Sequence, residues 1–195
     1  SPVYWESPDI WVRNKNDGFV NQVHQNVQYS FDAPTKYVYV RLRNRSCIPL
    51  DGQANNAFID LYWAKAGVEG SYPEPWTGTV NIPNTSIPLG GQIGGAMISS
   101  VRARGEEIIE IPWNNVPFPG DYDAVGGNWH FCLLARFHAD IDPIQNPSNT
   151  TRWFVQNNNN IASKNISIVT LDAGITPVNP GASEFTASFF ISDFT

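Results

Sequence analysis

Apolar and polar side chains alternate along several short segments of the chain, and this alternation is the strongest pattern in the sequence. The clearest case is residues 37–44, where Val38, Val40 and Leu42 share one side, and tyrosines and arginines share the other. A period of two residues places alternate side chains on opposite faces of a β-strand. Further strands are expected over residues 9–13, 57–64, 93–101, 106–111, 128–138, 161–171 and 184–194.

The segments between these strands favour turns and loops. Prolines interrupt residues 67–91 repeatedly and leave room for short edge strands at most, since proline cannot donate a ladder hydrogen bond. Residues 143–160 predict a long loop, and no segment shows a convincing helical pattern. Residues 128–138 are apolar on both faces, which is typical of a central strand. The pattern predicts an all-β fold, a two-sheet immunoglobulin-like β-sandwich with long loops.

The expected core of this sandwich combines the inward faces of three strands. Its predicted members include Val38, Val40, Leu42, Ile59, Leu61 and Leu133. Trp63, Trp113 and Trp129 lie in predicted strands, so they are expected to pack in the core or against a sheet face.

The chain divides into four parts on composition. Residues 1–8 are predicted to be a leader, 9–172 the sandwich domain, 173–183 a Gly/Pro spacer, and 184–195 an additional strand. In that last segment Phe185, Ala187, Phe189 and Ile191 share one face. It would pair with its own sheet, begin a further domain, or complete a neighbouring subunit as a donor strand.

Composition and charge narrow the classes of function. The 195 residues carry a formal net charge of −6, which argues against a nucleic-acid partner. No apolar run approaches the ~18 residues of a membrane-spanning helix, so membrane insertion is not expected. The 20 asparagines and 15 prolines favour turns, and low Lys and Glu with high Asn, Thr and Trp is common in secreted proteins. A secreted or cell-surface location is therefore predicted.

The sequence predicts that the protein is not an enzyme. It contains three histidines, and His130 and His138 lie about 26 Å apart along a continuous strand, too far to share a site. None of the common nucleophile, zinc-protease or phosphate-loop motifs is present. No catalytic residue is assigned, and no cofactor is expected apart from a possible calcium ion.

Two acidic pairs are the candidates for that ion. Asp121 with Asp123, and Asp140 with Asp142, each place two carboxylates on one side of an extended segment. Ca²⁺ prefers several oxygen ligands supplied by such loops. The strand between the pairs is expected to hold them at opposite ends of the sandwich, where ordinary solvated turns are the alternative interpretation.

Aromatic residues in loops are the candidates for ligand binding. Tyr72, Trp76 and Trp153 lie in or beside predicted loops, where exposed rings could stack on a sugar or anchor a protein. The alternative is that these rings clamp their own loops onto the sandwich.

Two cysteines, Cys47 and Cys132, are separated by 85 residues, which excludes a CxxC motif. They form either a disulfide that closes a long loop or two buried thiols that act as small apolar groups.

An ordered set of short motifs resembles CARDB-like modules, the cell-adhesion-related bacterial immunoglobulin-like domains of secreted multidomain proteins. The motifs are Ser7–Asn14 with Asp17 and Gly18, His24–Asn26, Tyr37–Arg45, Leu61–Ala66, Pro75–Trp76, Ile111–Trp113, Trp129–Arg136 and Asn158–Asn165. The resemblance covers roughly residues 7–171 and implies an immunoglobulin-like sandwich with an accessory, adhesive or structural role. It brings no catalytic site and no ligand motif.

The predicted function is therefore a non-catalytic extracellular module that presents loops for binding or assembly. Its partner would be a protein or carbohydrate at a cell surface. Two alternatives remain open. One is a carbohydrate-binding module that uses loop aromatics, with or without calcium. The other is a filament subunit that self-assembles by strand exchange.

Overall fold

The computed structural model describes residues 4–18, 21–32, 34–144 and 149–170. The strands are β1 (Ile10–Arg13), β2 (Val27–Tyr29), β3 (Lys36–Arg43), β4 (Leu50–Asp51), β5 (Phe58–Lys65), β6 (Gly90–Met97), β7 (Ser100–Val101), β8 (Glu106–Trp113), β9 (His130–His138) and β10 (Ile161–Thr170). A short 3₁₀-helix (Pro119–Val125) precedes β9, and the α-helix α1 (Thr151–Asn157) precedes β10. The protein is therefore mostly β-structure, as the alternation predicts. The predicted spacer and additional strand, residues 173–195, lie outside the described residues.

The strands form three sheets. One has the order β1-β3-β8, a second has the order β2-β10-β9-β5-β6, and β4 pairs with β7 in a small third sheet. All pairs are antiparallel except β2 with β10, which run parallel. The predicted leader also contributes, because Glu6 pairs with Lys164 in an isolated antiparallel bridge beside β10.

The main core joins the two larger sheets. Val38 and Val40 of β3 belong to the same buried cluster as Leu61 of β5 and Leu133 of β9. Their burial confirms the expected inward faces, and Ile59 is buried with them. Leu42 is only partly buried, since it lies one residue before the end of β3, beside a cleft.

A second buried cluster covers the outer face of the five-stranded sheet. Its buried members are Tyr62, Ala64, Trp76, Cys132, Leu134, Phe154 and Ile161. Residues from the 66–78 loop and α1 pack over β5 and β9 in this cluster. Strand β9 is therefore buried on both faces, which confirms the prediction of a central strand from its apolar sequence.

Glycines in β6 are required by close backbone approach. A Cβ on Gly90 would lie 2.4 Å from the carbonyl oxygen of Pro75, and one on Gly95 would lie 2.7 Å from that of Ile59. These positions let the 66–78 loop and β5 lie against the strand, so the glycine-rich sequence has a packing role.

Three local expectations were wrong. The predicted loop over residues 143–160 contains helix α1, and the loop before β9 contains the 3₁₀-helix. Both elements have seven residues, too few for a helical period to be recognised. Trp129 lies before β9 and is 49% exposed, so it packs on His130 (ring centroids 5.1 Å apart) rather than in the core.

Neither described helix has the length and apolar character that crossing a bilayer requires.

Candidate functional site

A cleft of about 660 Å³ opens between the two larger sheets at one end of the fold. Strands β3 and β9 end there, and β5 and β10 begin there. Apolar side chains from all four strands line the cleft: Leu42 of β3, Phe137 of β9, Ile59 of β5 and Ile161 of β10. The strand faces that build the core therefore continue into an open, apolar cavity.

Two isoleucines at this end of the fold are exposed. Ile48, in the β3–β4 connection, is 68% exposed, and Ile141, after β9, is 65% exposed. Both line the cleft. Exposed aliphatic side chains scattered singly are common on proteins, but two beside one apolar cavity make this end of the fold a candidate contact surface.

Five of the eight arginines lie at the same end of the fold. We call them the arginine rim: Arg41, Arg43, Arg45, Arg102 and Arg104. The first three occupy every second position in the last part of β3 and just beyond it. The last two lie in the β7–β8 connection. Pairing of β3 with β8 places Arg43 opposite Glu106 and so brings the two groups together. A shallow groove lined by four of these arginines adjoins the cleft.

Two arginines of the rim are paired with carboxylates. Arg43 Nη2 lies 2.8 Å from Asp9 Oδ1, and Arg43 Nη1 donates to Asp9 Oδ2 at 2.9 Å. Glu106 Oε2 lies 3.8 Å from Arg41 Nε and 3.7 Å from Arg43 Nε. These contacts fix the orientation of the two guanidinium groups, which leave β3 on the face opposite Leu42 at the edge of the cleft.

The other three arginines are not neutralised by a described carboxylate. Within the described ranges, no ion pair involves Arg45, Arg102 or Arg104. Arg104 Nη2 instead lies 3.0 Å from the sulfur of Cys47. A guanidinium keeps its charge at neutral pH and binds carboxylate, phosphate or sulfonate groups through a planar fork of donors. This end of an acidic protein is therefore suited to an anionic partner with an apolar part.

The predicted aromatic site is not a single exposed surface. Trp76 is buried, and its Nε1 donates to the carbonyl of Ser71 and to Thr151 Oγ1, each at 3.0 Å. Its proposed role as an exposed ring is wrong, because this side chain clamps its loop to α1. Tyr72 is half-buried against Phe154, with the Arg136 guanidinium 5.0 Å from its ring centroid. Trp153 alone of the three is exposed, at 41%.

The two predicted pairs of calcium ligands lie apart, one before β9 and one after it. Asp121 and Asp123 lie in the 3₁₀-helix before β9, whereas Asp140 and Asp142 follow the end of that strand. Asp140 Oδ2 accepts a hydrogen bond from Asn56 at 2.6 Å, and Asp123 accepts one from Asn128. No group of three or more His, Cys, Asp or Glu residues suited to a metal occurs in the described part of the chain.

The two cysteines are free thiols, so the disulfide interpretation is wrong for this structure. Cys47 is exposed next to Arg104, and Cys132 is buried in the outer-face cluster, where its sulfur lies 3.0 Å from Asn165 Oδ1. The alternative of a small buried apolar group therefore fits Cys132 but not Cys47. Burial also raises the pKa of the Cys132 thiol.

Sequence reasoning missed the cleft and the arginine rim. The usable signal was the spacing of Arg41, Arg43 and Arg45 at every second residue, which keeps their side chains on one face of an extended chain. Comparison with known proteins adds no relative, since no family model and no curated protein matches the chain.

Proposed function

We propose that the chain is a non-catalytic, immunoglobulin-like module that binds a partner in the cleft. The cleft lies at what we call the loop end, where the β3–β4 and β7–β8 connections meet. The order β1-β3-β8 facing β2-β10-β9-β5-β6, with a parallel β2–β10 pair, supports an immunoglobulin-like sandwich. The loops at one end of such a sandwich commonly carry its binding surface. The resemblance to CARDB-like modules and the composition favour an adhesive or structural role outside the cell.

The observation that carries the proposal is the combination of an apolar cleft with a basic rim. A volume of about 660 Å³ is within the range of ligand-binding cavities. Aliphatic side chains such as Ile48 and Ile141 would bury apolar parts of a partner, and the arginines would orient its anionic groups.

Binding is favoured over catalysis by the chemistry of the groups at the cleft. Its walls are largely aliphatic and aromatic, with Asp9 and Asp142 as the carboxylates of the lining, and its basic groups are guanidiniums, which neither lose nor gain a proton readily near neutral pH. Asp9 is held by Arg43 in an ion pair rather than presented as a free base. The arrangement can recognise charge and apolar shape.

The carbohydrate-binding alternative has weaker support. It depended on loop rings able to stack on sugars, and Trp76 is enclosed while Tyr72 is partly covered. Of the three candidate rings Trp153 alone is exposed, and one ring gives little stacking area.

The proposal is tested with an amphiphilic anion, anilinonaphthalene sulfonate, followed by fluorescence and by calorimetry on the folded protein. We expect saturable binding that Arg45→Gln/Arg102→Gln weakens and that Ile48→Asp/Ile141→Asp abolishes. The matched control is Arg152→Gln, which removes an exposed arginine of α1 outside the cleft lining. Equal binding by all variants, or no saturable binding, would overturn the proposal.

A further inference from the structure

We infer that the cleft receives residues 184–194 of a second copy of this chain, so that molecules join head to tail. This inference rests on the proposed function of the cleft and names its occupant. It is carried by three features: the sequence of residues 184–194, the chemistry of the cleft, and the position of Thr170, the last described residue, relative to the cleft.

The chemistry of residues 171–195 complements that of the loop end. This segment contains Asp172, Glu184 and Asp193 and no Lys, Arg or His. In a strand, Phe185, Ala187, Phe189 and Ile191 would form one apolar face. An acidic segment with an aromatic face is the kind of ligand that an apolar cleft beside five arginines would bind.

The loop end offers matching groups for both properties. Leu42, Phe137 and the exposed Ile48 and Ile141 provide apolar contacts for aromatic rings. Arg45 and Arg102 form no ion pair with described residues and lie beside the same cleft. An unpartnered aromatic strand face would otherwise expose apolar area to water, which is unfavourable.

The position of the segment favours a contact between copies. Strand β10 begins at Ile161, in the cleft wall, and its ten residues carry the chain to Thr170, about 30 Å away. Thr170, the last described residue, therefore lies at the end of the fold opposite the cleft. A contact between opposite ends of identical molecules is heterologous, and it repeats into a chain of subunits unless it closes into a ring.

Closure within one molecule is the competing arrangement. The 13 residues 171–183 span at most about 45 Å when fully extended, so they could reach back along the sandwich only when nearly straight. The experiment must therefore separate binding between copies from binding within a copy.

A complementation experiment makes this separation. The tail variant lacks residues 184–195, and the cleft variant carries Ile48→Asp/Ile141→Asp. Both substituted isoleucines are exposed, so the cleft variant should fold, and circular dichroism with thermal melting verifies both proteins. In sedimentation velocity we expect the unmodified chain to form concentration-dependent oligomers and each variant alone to remain monomeric. An equimolar mixture should form a heterodimer and nothing larger, because only one productive contact is left.

A peptide of residues 182–195 tests the contact directly on the tail variant. We expect it to displace anilinonaphthalene sulfonate, and Phe185→Ser/Phe189→Ser in the peptide should weaken binding about a hundredfold or more, because two apolar rings would no longer be buried in the cleft. If the dye binds through the rim but the peptide does not displace it, the cleft binds another partner and this inference is wrong. If neither binds, the proposed function fails as well. If the peptide binds while the unmodified chain stays monomeric at every concentration, the segment occupies its own cleft and head-to-tail assembly is wrong.

Discussion

The Asp9 carboxylate contacts the Arg43 guanidinium through both of its oxygens, with Nη2 2.8 Å from Oδ1 and Nη1 2.9 Å from Oδ2. The pair connects the residue before β1 to the last residue of β3 at the edge of the cleft. The same carboxylate lies 3.9 Å from Arg41 Nη1. One acidic group thus orients two arginines of the rim and offsets part of their charge.

Asp9→Asn should cost about 0.5–1 kcal/mol of the free energy of unfolding. Both partners of the ion pair are partly exposed, and exposed pairs contribute little. The cost should shrink as salt is added, because salt screens such pairs. Urea unfolding at low and high salt measures both effects. Glu107→Gln is the control, since Glu107 is an exposed carboxylate of the neighbouring β8. An equal cost for the two variants would contradict a specific Asp9–Arg43 contribution.

Trp76→Ala should lower the free energy of unfolding by about 3–5 kcal/mol. The substitution leaves a cavity under the 66–78 loop and removes the donor to Ser71 and Thr151. Trp76→Phe should lose less, because a ring still fills much of the space. The measurement is urea unfolding followed by circular dichroism.

Trp153→Ala is the matched control for Trp76, because it removes the same side chain from an exposed position on α1. Its cost should stay within about 0.5 kcal/mol, as for most surface substitutions. If the two alanine variants lost equal stability, the buried clamp assigned to Trp76 would be wrong.

Thiol labelling should distinguish the two cysteines. In the native protein Cys47 should react quickly with an aromatic disulfide reagent, since it is exposed and lies beside the Arg104 guanidinium. Cys132 should react only after unfolding, because it is buried and its thiol pKa is raised. One thiol per chain is expected in native protein and two in denaturant. Loss of the fast native reaction in Cys47→Ser confirms the assignment, and two slow thiols would contradict it.

The alternation of side chains was enough to predict the longer strands and much of the core, but it did not predict the short strands β2 and β4. Residues 37–44 differ from β3 by a single position at each end, because one apolar face had to turn inward. Prediction failed where packing depends on distant segments. Trp76 is buried because α1 and the outer sheet face cover it, and α1 is too short to be recognised from its own sequence.

The site depends even more on long-range pairing. Arg43 and Arg104 are about 60 residues apart in sequence, and the antiparallel β3–β8 register brings their segments together. Alternation predicts that each strand exists but leaves its partner and register open. The cleft requires both, so no single segment could reveal it.

Acid should destabilise the protein through His24. Its Nδ1 accepts the backbone N–H of Val12 at 3.2 Å and must be unprotonated to do so. Burial, together with the nearby Lys164 ammonium, lowers the pKa of His24 to about 4. In the unfolded chain a histidine has a pKa near 6.5, so between about pH 6.5 and 4 the unfolded state binds a proton that the folded state does not. Stability should therefore fall as the pH drops through that window, by about 3 kcal/mol at most.

His24→Gln isolates this contribution, because a glutamine amide can accept the same backbone hydrogen bond but does not titrate. The variant and the parent share His130 and His138, whose pKa values are also lowered by burial, so the difference between their pH profiles belongs to His24. Urea midpoints measured from pH 7 to pH 4 should fall less steeply in the variant, and an NMR titration of the parent should place the His24 pKa well below that of a free histidine. Parallel profiles for the two proteins would show that His24 is not held neutral by the contact with Val12.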